Sequence, residues 1–242
     1  METNFKIEKY KKESDYSFSF GAFPTFELIK NKPEQVVCLL LHSKLKISDD
    51  IQKLIDLCKS LKIEIKYDDK TINKIADKEN CFVVGVFKKF VGKNVADTHI
   101  VLVNPSDMGN IGTIMRTMLG FGITNLNIVK PCVDVFNPKV VRASMGAIFS
   151  LNIVEFENVE EYLNSNNNKK YFFMLNGKKQ LGRFNNEHKL FDLVFGNEAS
   201  GLPEHLLNHD ESVVIKHSNK IDSLNLPISV AMAIYEFNSK NF

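Results

Sequence analysis

Residues 104–122, Asn104-Pro-Ser-Asp-Met-Gly-Asn-Ile-Gly-Thr-Ile-Met-Arg-Thr-Met-Leu-Gly-Phe-Gly122, constrain this chain more than any other stretch. The five residues before them, His99-Ile-Val-Leu-Val103, form a short apolar run of the kind a buried strand needs. Pro105, Ser106, Asp107 and Gly109 then predict a loop. From Ile111 the apolar spacing turns helical, through Ile114, Met115, Met118 and Leu119. Gly120 and Gly122 stop that helix, and residues 123–129 return as a strand. The unit is therefore strand, loop, helix, strand, with Asn110 at the loop–helix junction and one cation, Arg116, in an apolar helix. In α/β proteins such junctions at strand ends hold the chemistry.

The same rhythm continues on both sides. Upstream, strands are expected at 36–41, 63–67 and 81–87, with a helix opening at Ser48-Asp-Asp50 and another over 69–76. Residues 88–97 have the composition of a linker, so a smaller αβ domain over 1–95 precedes a larger one over 98–242. Residues 1–20 are polar and aromatic and are expected to be partly ordered. Downstream, strands are expected at 149–156, 171–175, 190–195 and 213–216. Short helices are expected after Asn137 and over 159–163, and Pro227 suits the first turn of a terminal helix. Alternating strands and helices argue a mostly parallel sheet covered on both faces.

Composition narrows the setting. Apolar residues make up 44% of the 242, enough for a real core, and no apolar run is long enough to span a bilayer. The N-terminus is too polar for a signal peptide, and four well-spaced cysteines without a Cys-x-x-Cys pair suit a reducing compartment. A soluble cytoplasmic protein is the expectation. The net charge of +2 does not by itself announce a nucleic-acid partner. Arginine usage says more. Only Arg116, Arg142 and Arg183 interrupt a strong preference for lysine, and a planar bidentate donor is what such exceptions offer.

Three strand ends deliver polar residues and glycines: Asn110 and Arg116; Gly196, Glu198 and Gly201; Ser223 and Asn225. In a parallel sheet these fall at one edge. Each has an ordinary reading when taken alone, Asn110 as a helix cap, Glu198 as a turn carboxylate, Arg116 as a surface ion-pair partner, Ser223 and Asn225 as caps of the last helix. His205 and His209 stand four apart without a third metal ligand, so no metal site is expected. Gly120-Phe-Gly122 follows a helix rather than a strand, which argues against a dinucleotide fingerprint. Lys30, Lys32, Lys44 and Lys46 are candidates for a phosphate-binding patch.

Taken jointly and in order, Asn110-Ile-Gly-Thr-Ile-Met-Arg116, Gly196-Asn-Glu-Ala-Ser-Gly-Leu202 and Ser223-Leu-Asn-Leu-Pro-Ile-Ser-Val-Ala231 resemble the three motifs of the SpoU/TrmH family of RNA ribose 2′-O-methyltransferases, within the SPOUT superfamily. Arg142-Ala-Ser-Met-Gly-Ala147 is similar to the segment between the family's first and second motifs. The N-terminal region resembles, more weakly, the L30e/L7Ae-like substrate-binding domain of many members. The resemblance implies a C-terminal α/β domain with a trefoil knot, S-adenosylmethionine as cofactor, rRNA or tRNA as substrate, and a homodimer. It also implies roles: Asn110, Arg116, Glu198, Ser223 and Asn225 in catalysis; Leu175, Asn176, Gly196, Ile215 and Leu224 on the cofactor. Glu198 is expected to orient Arg116 or neighbouring backbone. The third motif departs from the common pattern at Pro227, which lacks a backbone N–H near the site. A catalytically silent RNA-binding protein and a nucleotide-binding oxidoreductase are the rival readings.

Overall fold

The computed structural model describes residues 6–76, 80–183 and 187–238, and they form two compact units. The first comprises Met1–Phe90 and Asp134–Ser150, the second Val91–Val133 and Leu151–Phe242.

The first unit carries β1 (Tyr16–Phe20), α1 (Ala22–Asn31), β2 (Val36–Leu41), α2 (Asp49–Ser60), β3 (Ile65–Tyr67), α3 (Asp69–Ile75) and β4 (Val83–Lys88). Its sheet runs β1-β4-β2-β3; only β2 and β3 are parallel. Local signals set the helices. The Ser48 hydroxyl accepts from the Ile51 amide, and Asp68 does the same for Thr71, so each side chain satisfies an otherwise orphaned donor. The expectation of a partly ordered 1–20 fails over Tyr16–Phe20, which is a buried strand; residues 1–5 lie outside the described residues. Phe18 is fully buried, and Ser17 on the opposite face donates its hydroxyl to the Phe136 carbonyl at 2.5 Å.

That last contact marks a second departure. Asp134–Ser150, which includes α5 (Pro138–Ala143), clusters with this unit and not with the domain expected over 98–242. The cause is aromatic and ionic packing. Phe136 meets Phe87 and Phe90 edge-on, and Phe149 meets Phe87 at 5.1 Å. Lys89 pairs with Asp134 at 2.9 Å.

The second unit holds β5 (His99–Val103), α4 (Met108–Gly120), β6 (Asn125–Val129), β7 (Asn152–Phe156), α6 (Val159–Leu163), β8 (Lys169–Phe173), β9 (Lys179–Gln180), β10 (Phe191–Phe195), β11 (Glu211–Val214) and α7 (Leu226–Asn238). The strands form a seven-stranded sheet in the order β7-β6-β5-β10-β8-β11-β9, and every pairing in it is parallel. Parallel strands need both faces covered, which explains why β5, β6 and β10 are buried at every position. On one face Val101, Val103, Val129, Phe172 and Val194 pack with Tyr162, Leu202 and Leu206. Helix α4 buries Ile111, Ile114, Met115 and Met118, and packs against α7, which buries Val230, Ala233, Ile234 and Phe237. Each of these side chains except that of Ala233 contributes about 1.5–3 kcal/mol on burial. Helix α4 begins at Met108, three residues before the apolar spacing suggests, because Asp107 caps it by accepting from the Asn110 amide at 2.7 Å. Asn110 therefore sits inside the first turn, where its side chain is free for other work.

Candidate active site at the carboxyl edge of the parallel sheet

All seven strands point the same way, so the loops after β5, β8, β10 and β11 converge at one edge. Asn104 turns the chain out of β5 with a φ of 54°, a left-handed conformation that asparagine tolerates better than most residues. Its carbonyl accepts from the Asn197 carboxamide at 2.8 Å. The Asn197 carboxamide oxygen in turn accepts from the amides of Ala199 and Ser200 at 2.9 and 3.1 Å, so this side chain folds the 196–201 loop onto itself. Gly196 has no room for a side chain: a Cβ there would lie 2.1 Å from the Gly201 carbonyl carbon. Gly201 takes a φ of 68°, which glycine adopts without strain.

Glu198 ties this loop to the one after β5. Its carboxylate accepts from the Ser106 hydroxyl at 2.8 Å and amide at 3.2 Å, the Asp107 amide at 3.3 Å, and the Asn110 carboxamide at 3.2 Å. Burial pushes the carboxyl pKa up. Hydrogen bonds from its own amide, Asn110 and Ser106 outweigh that and hold it below the ordinary glutamate value. A carboxylate only accepts, so Asn110 must turn its NH2 towards Glu198. That leaves the Asn110 carboxamide oxygen as a fixed acceptor. Of the two partners expected for Glu198, the neighbouring backbone is the one the structure provides.

A cavity of about 750 Å³ opens between these loops. Asn110, Glu198, Ser223 and Asn225 line it, as do Leu175, Asn176, Gly196, Ile215 and Leu224. Arg116 does not. It lies exposed on α4, two turns beyond Asn110, and among the described residues no hydrogen bond or ion pair engages it. Pro227 costs the site nothing. It is the second residue of α7, where its missing N–H has no intrahelical partner to lose, and the Asn225 carbonyl accepts from Ile228 and Ser229 at 3.1 and 3.0 Å. Ser106, Asn197 and His217 were not singled out from the sequence as site residues. Asn197 lies inside a recognised motif; Ser106 and His217 carry no local signal that separates them from ordinary loop residues.

The lining has a definite electrostatic character. Its ionisable residues are Glu198, Glu204, Asp222 and His217, with no lysine or arginine among the described residues. Phe173, Met174, Phe195 and Val213 supply apolar wall. A volume of this size suits a small organic molecule. An acidic lining disfavours phosphorylated nucleotides and suits a ligand with net positive charge. Among the described residues no cluster of three or more His, Cys, Asp or Glu side chains could hold a metal, and no helix is long and apolar enough to cross a membrane.

A parallel α/β sheet whose carboxyl edge holds an acidic small-molecule cavity, walled by polar loops from four strand ends, defines a ligand-binding domain. The chain belongs to the SpoU rRNA Methylase family, whose model matches residues 97–235. Human mitochondrial rRNA methyltransferase 3 is 43% identical over 67 residues, which covers 26% of this chain and only 16% of that protein. The AdoMet-bound rRNA methyltransferase from Sinorhizobium meliloti shares the fold, with a TM-score of 0.80, 22% identity, and coverage of 95% of this chain and 89% of that one. A structure solved for work on 2-OH methylation of C/U34 on tRNA is 26% identical with a TM-score of 0.55, covering 60% of this chain and 97% of its own.

Proposed function

We propose that this protein is an S-adenosylmethionine-dependent methyltransferase acting on the ribose 2′-OH of a nucleotide in rRNA or tRNA. The observation that carries the reading is the acidic cavity lined by nine of the ten expected site residues. S-adenosylmethionine is a net cation, and the lining residues fit it: the carboxylates of Glu198, Glu204 and Asp222, and an apolar wall that includes Leu175, Ile215 and Leu224. When bound, it supplies the methyl group as an electrophilic carbon on a sulfonium.

The chain's own residues do the rest. Glu198 holds Asn110, and the fixed carboxamide oxygen of Asn110 accepts a hydrogen bond from the ribose hydroxyl, aligning its oxygen for in-line attack. Ser223 and Asn225 close the substrate side of the cavity. The guanidinium of Arg116 stays protonated, so it serves as a bidentate clamp on the adjacent phosphate, towards which or into water the hydroxyl proton departs. The first unit, with its four-stranded mixed sheet, serves as an L30e-like RNA-recognising domain, and the second carries the trefoil knot of the family.

The working form is a homodimer in the cytoplasm. Ile228, Met232 and Tyr235 are 54%, 42% and 63% exposed and recur on one stripe of α7, which packs against α4. That apolar stripe flanks the helix bearing Arg116, and a second copy of the chain covers it. Met232→Glu is expected to give monomers by light scattering; unchanged dimers would move the interface elsewhere.

Calorimetric titration tests the cofactor reading. S-adenosylmethionine is expected to bind at one site per chain. No heat of binding from folded protein would instead favour the silent RNA-binding reading.

A further inference from the structure

Ser106 stands outside the cavity lining, exposed in the loop after β5, yet its hydroxyl is engaged twice. Oγ lies 2.8 Å from Glu198 Oε2 and 3.3 Å from Asn197 Nδ2. Groups that can only donate or only accept fix the sense of both bonds. Backbone amides only donate, so those of Ala199 and Ser200, at 2.9 and 3.1 Å, hold the Asn197 carboxamide by its oxygen. The Asn197 NH2 therefore faces the other way, towards the Asn104 carbonyl at 2.8 Å and the Ser106 hydroxyl. That hydroxyl accepts from Asn197 and gives its single proton to the Glu198 carboxylate, which only accepts.

The two carboxylate oxygens of Glu198 are held differently. Oε1 takes the Asp107 amide and the Asn110 NH2. Oε2 takes both donors of Ser106, the hydroxyl at 2.8 Å and the amide at 3.2 Å. The direct approach of Asn197 Nδ2 to Oε2, 3.5 Å, is too long to replace the hydroxyl. The bonds thus run in one sense, from main-chain donors through Asn197 and Ser106 to Glu198, and links that polarise one another in this way strengthen the chain. Without the Ser106 hydroxyl, Oε2 keeps one long amide bond, and the carboxylate plane is free to rock with Asn110 attached.

We infer that Ser106 is a positioning residue for methyl transfer: its hydroxyl, itself oriented by Asn197, sets the plane of the Glu198 carboxylate and, through it, the direction of the Asn110 carboxamide oxygen. This rests on the methyl-transfer reading above. Ser106 is not part of the cavity lining, so its effect falls on turnover and not on the binding of cofactor or RNA.

The test is the kinetics of wild type, Ser106→Ala, Ser106→Thr, Glu198→Gln and the double variant Ser106→Ala/Glu198→Gln, at saturating S-adenosylmethionine over a range of total RNA. Ser106→Ala is expected to lower kcat about fivefold, with KM for RNA, calorimetric cofactor affinity and melting temperature unchanged. Threonine keeps the hydroxyl, and at this exposed position it is expected to restore kcat to within about twofold of wild type. In the Glu198→Gln background, Ser106→Ala is expected to add less than about a twofold loss, because the acceptor it serves is gone. An undiminished kcat in Ser106→Ala, a loss that multiplies with that of Glu198→Gln, or a change confined to KM or cofactor affinity overturns this inference and leaves the methyl-transfer reading standing. No methyl transfer by folded wild-type protein overturns that reading instead. The Asn110 side-chain amide resonances, identified by their loss in Asn110→Ala, then decide the role of Ser106 without activity. They are expected to shift in Ser106→Ala and to return in Ser106→Thr; resonances that Ser106→Ala leaves in place overturn it.

Discussion

The two ends of strands β5 and β10 carry polar clusters of opposite kinds. At the amino end, His99 and Asp192 are 1% and 0% exposed and meet at 2.8 Å. Asp192 also accepts from the Tyr162 hydroxyl and the carboxamides of Asn166 and Asn168. At the carboxyl end, Glu198 is as densely hydrogen-bonded, yet it stands at the wall of a cavity. Both carboxylates cross-link segments around the same two strands. One is sealed by protein on every side and holds the sheet together; the other stabilises a loop and fixes the Asn110 carboxamide oxygen as an acceptor at the cavity. A hydrogen-bonded carboxylate is not a site by virtue of its bonds alone. What separates the two is access.

Substitutions can break this contrast. The largest effect on stability is expected at the sealed end. Asp192→Ala leaves His99, Tyr162 and two asparagines without their common acceptor, and is expected to cost roughly 3–5 kcal/mol. A melting temperature within a few degrees of wild type would show that the network is dispensable. At the open end the losses should fall on turnover. Arg116→Lys keeps the charge but not the fork, and is expected to lower kcat about 100-fold with cofactor affinity unchanged. Near-normal turnover would remove the phosphate clamp from the mechanism.

A smaller effect is expected from Glu198→Gln. The glutamine amide places donors where Ser106, Asp107 and Asn110 already donate, so Asn110 loses its fixed orientation. A fall of about tenfold in kcat, with about 1–3 kcal/mol of stability, is expected. A change in cofactor affinity alone would mean that Glu198 acts on the ligand rather than through Asn110.

The smallest effect is expected in the pH dependence of stability. For Asp192, burial raises the pKa, but the hydrogen bonds from His99 and Asn168, the histidine's charge and the Tyr162 bond together leave it lowered. Glu198 is lowered too. A carboxyl depressed on folding contributes stability that is present above its unfolded pKa of about 4 and is lost as pH falls through the folded value. Acid unfolding is therefore expected below about pH 4, and Asp192→Asn is expected to flatten it. An unchanged acid limb in that variant would place the titrating groups elsewhere.

Much of this was legible in the sequence, for definite reasons. The parallel sheet follows from uninterrupted apolar strands such as Ile100-Val-Leu-Val103, and the convergence of three loops follows from strand direction once the sheet is parallel. The expected site residues that line the cavity were reached through the resemblance carried by motif order. Strand β1 alternates in Tyr16-Ser-Phe-Ser-Phe20 as a strand should, but the run is short and sits in a polar N-terminal stretch, and the burial of Ser17 and Ser19 rests on partners, Phe136 and Thr25, that only the folded chain supplies. The placement of Asp134–Ser150 was missed because nothing in its own periodicity says which core its phenylalanines enter. The partners of Glu198 were open for the same reason, since a carboxylate 88 residues beyond Asn110 can be assigned a donor only once the loops are in place.

The central claim is that the open edge transfers a methyl group to ribose. Purified protein would be incubated with methyl-labelled S-adenosylmethionine and total RNA, and the RNA digested to nucleosides. Label in 2′-O-methylated nucleosides, abolished by Asn110→Ala with the melting temperature preserved, is expected. Label on a base, or none while the cofactor binds, would contradict it.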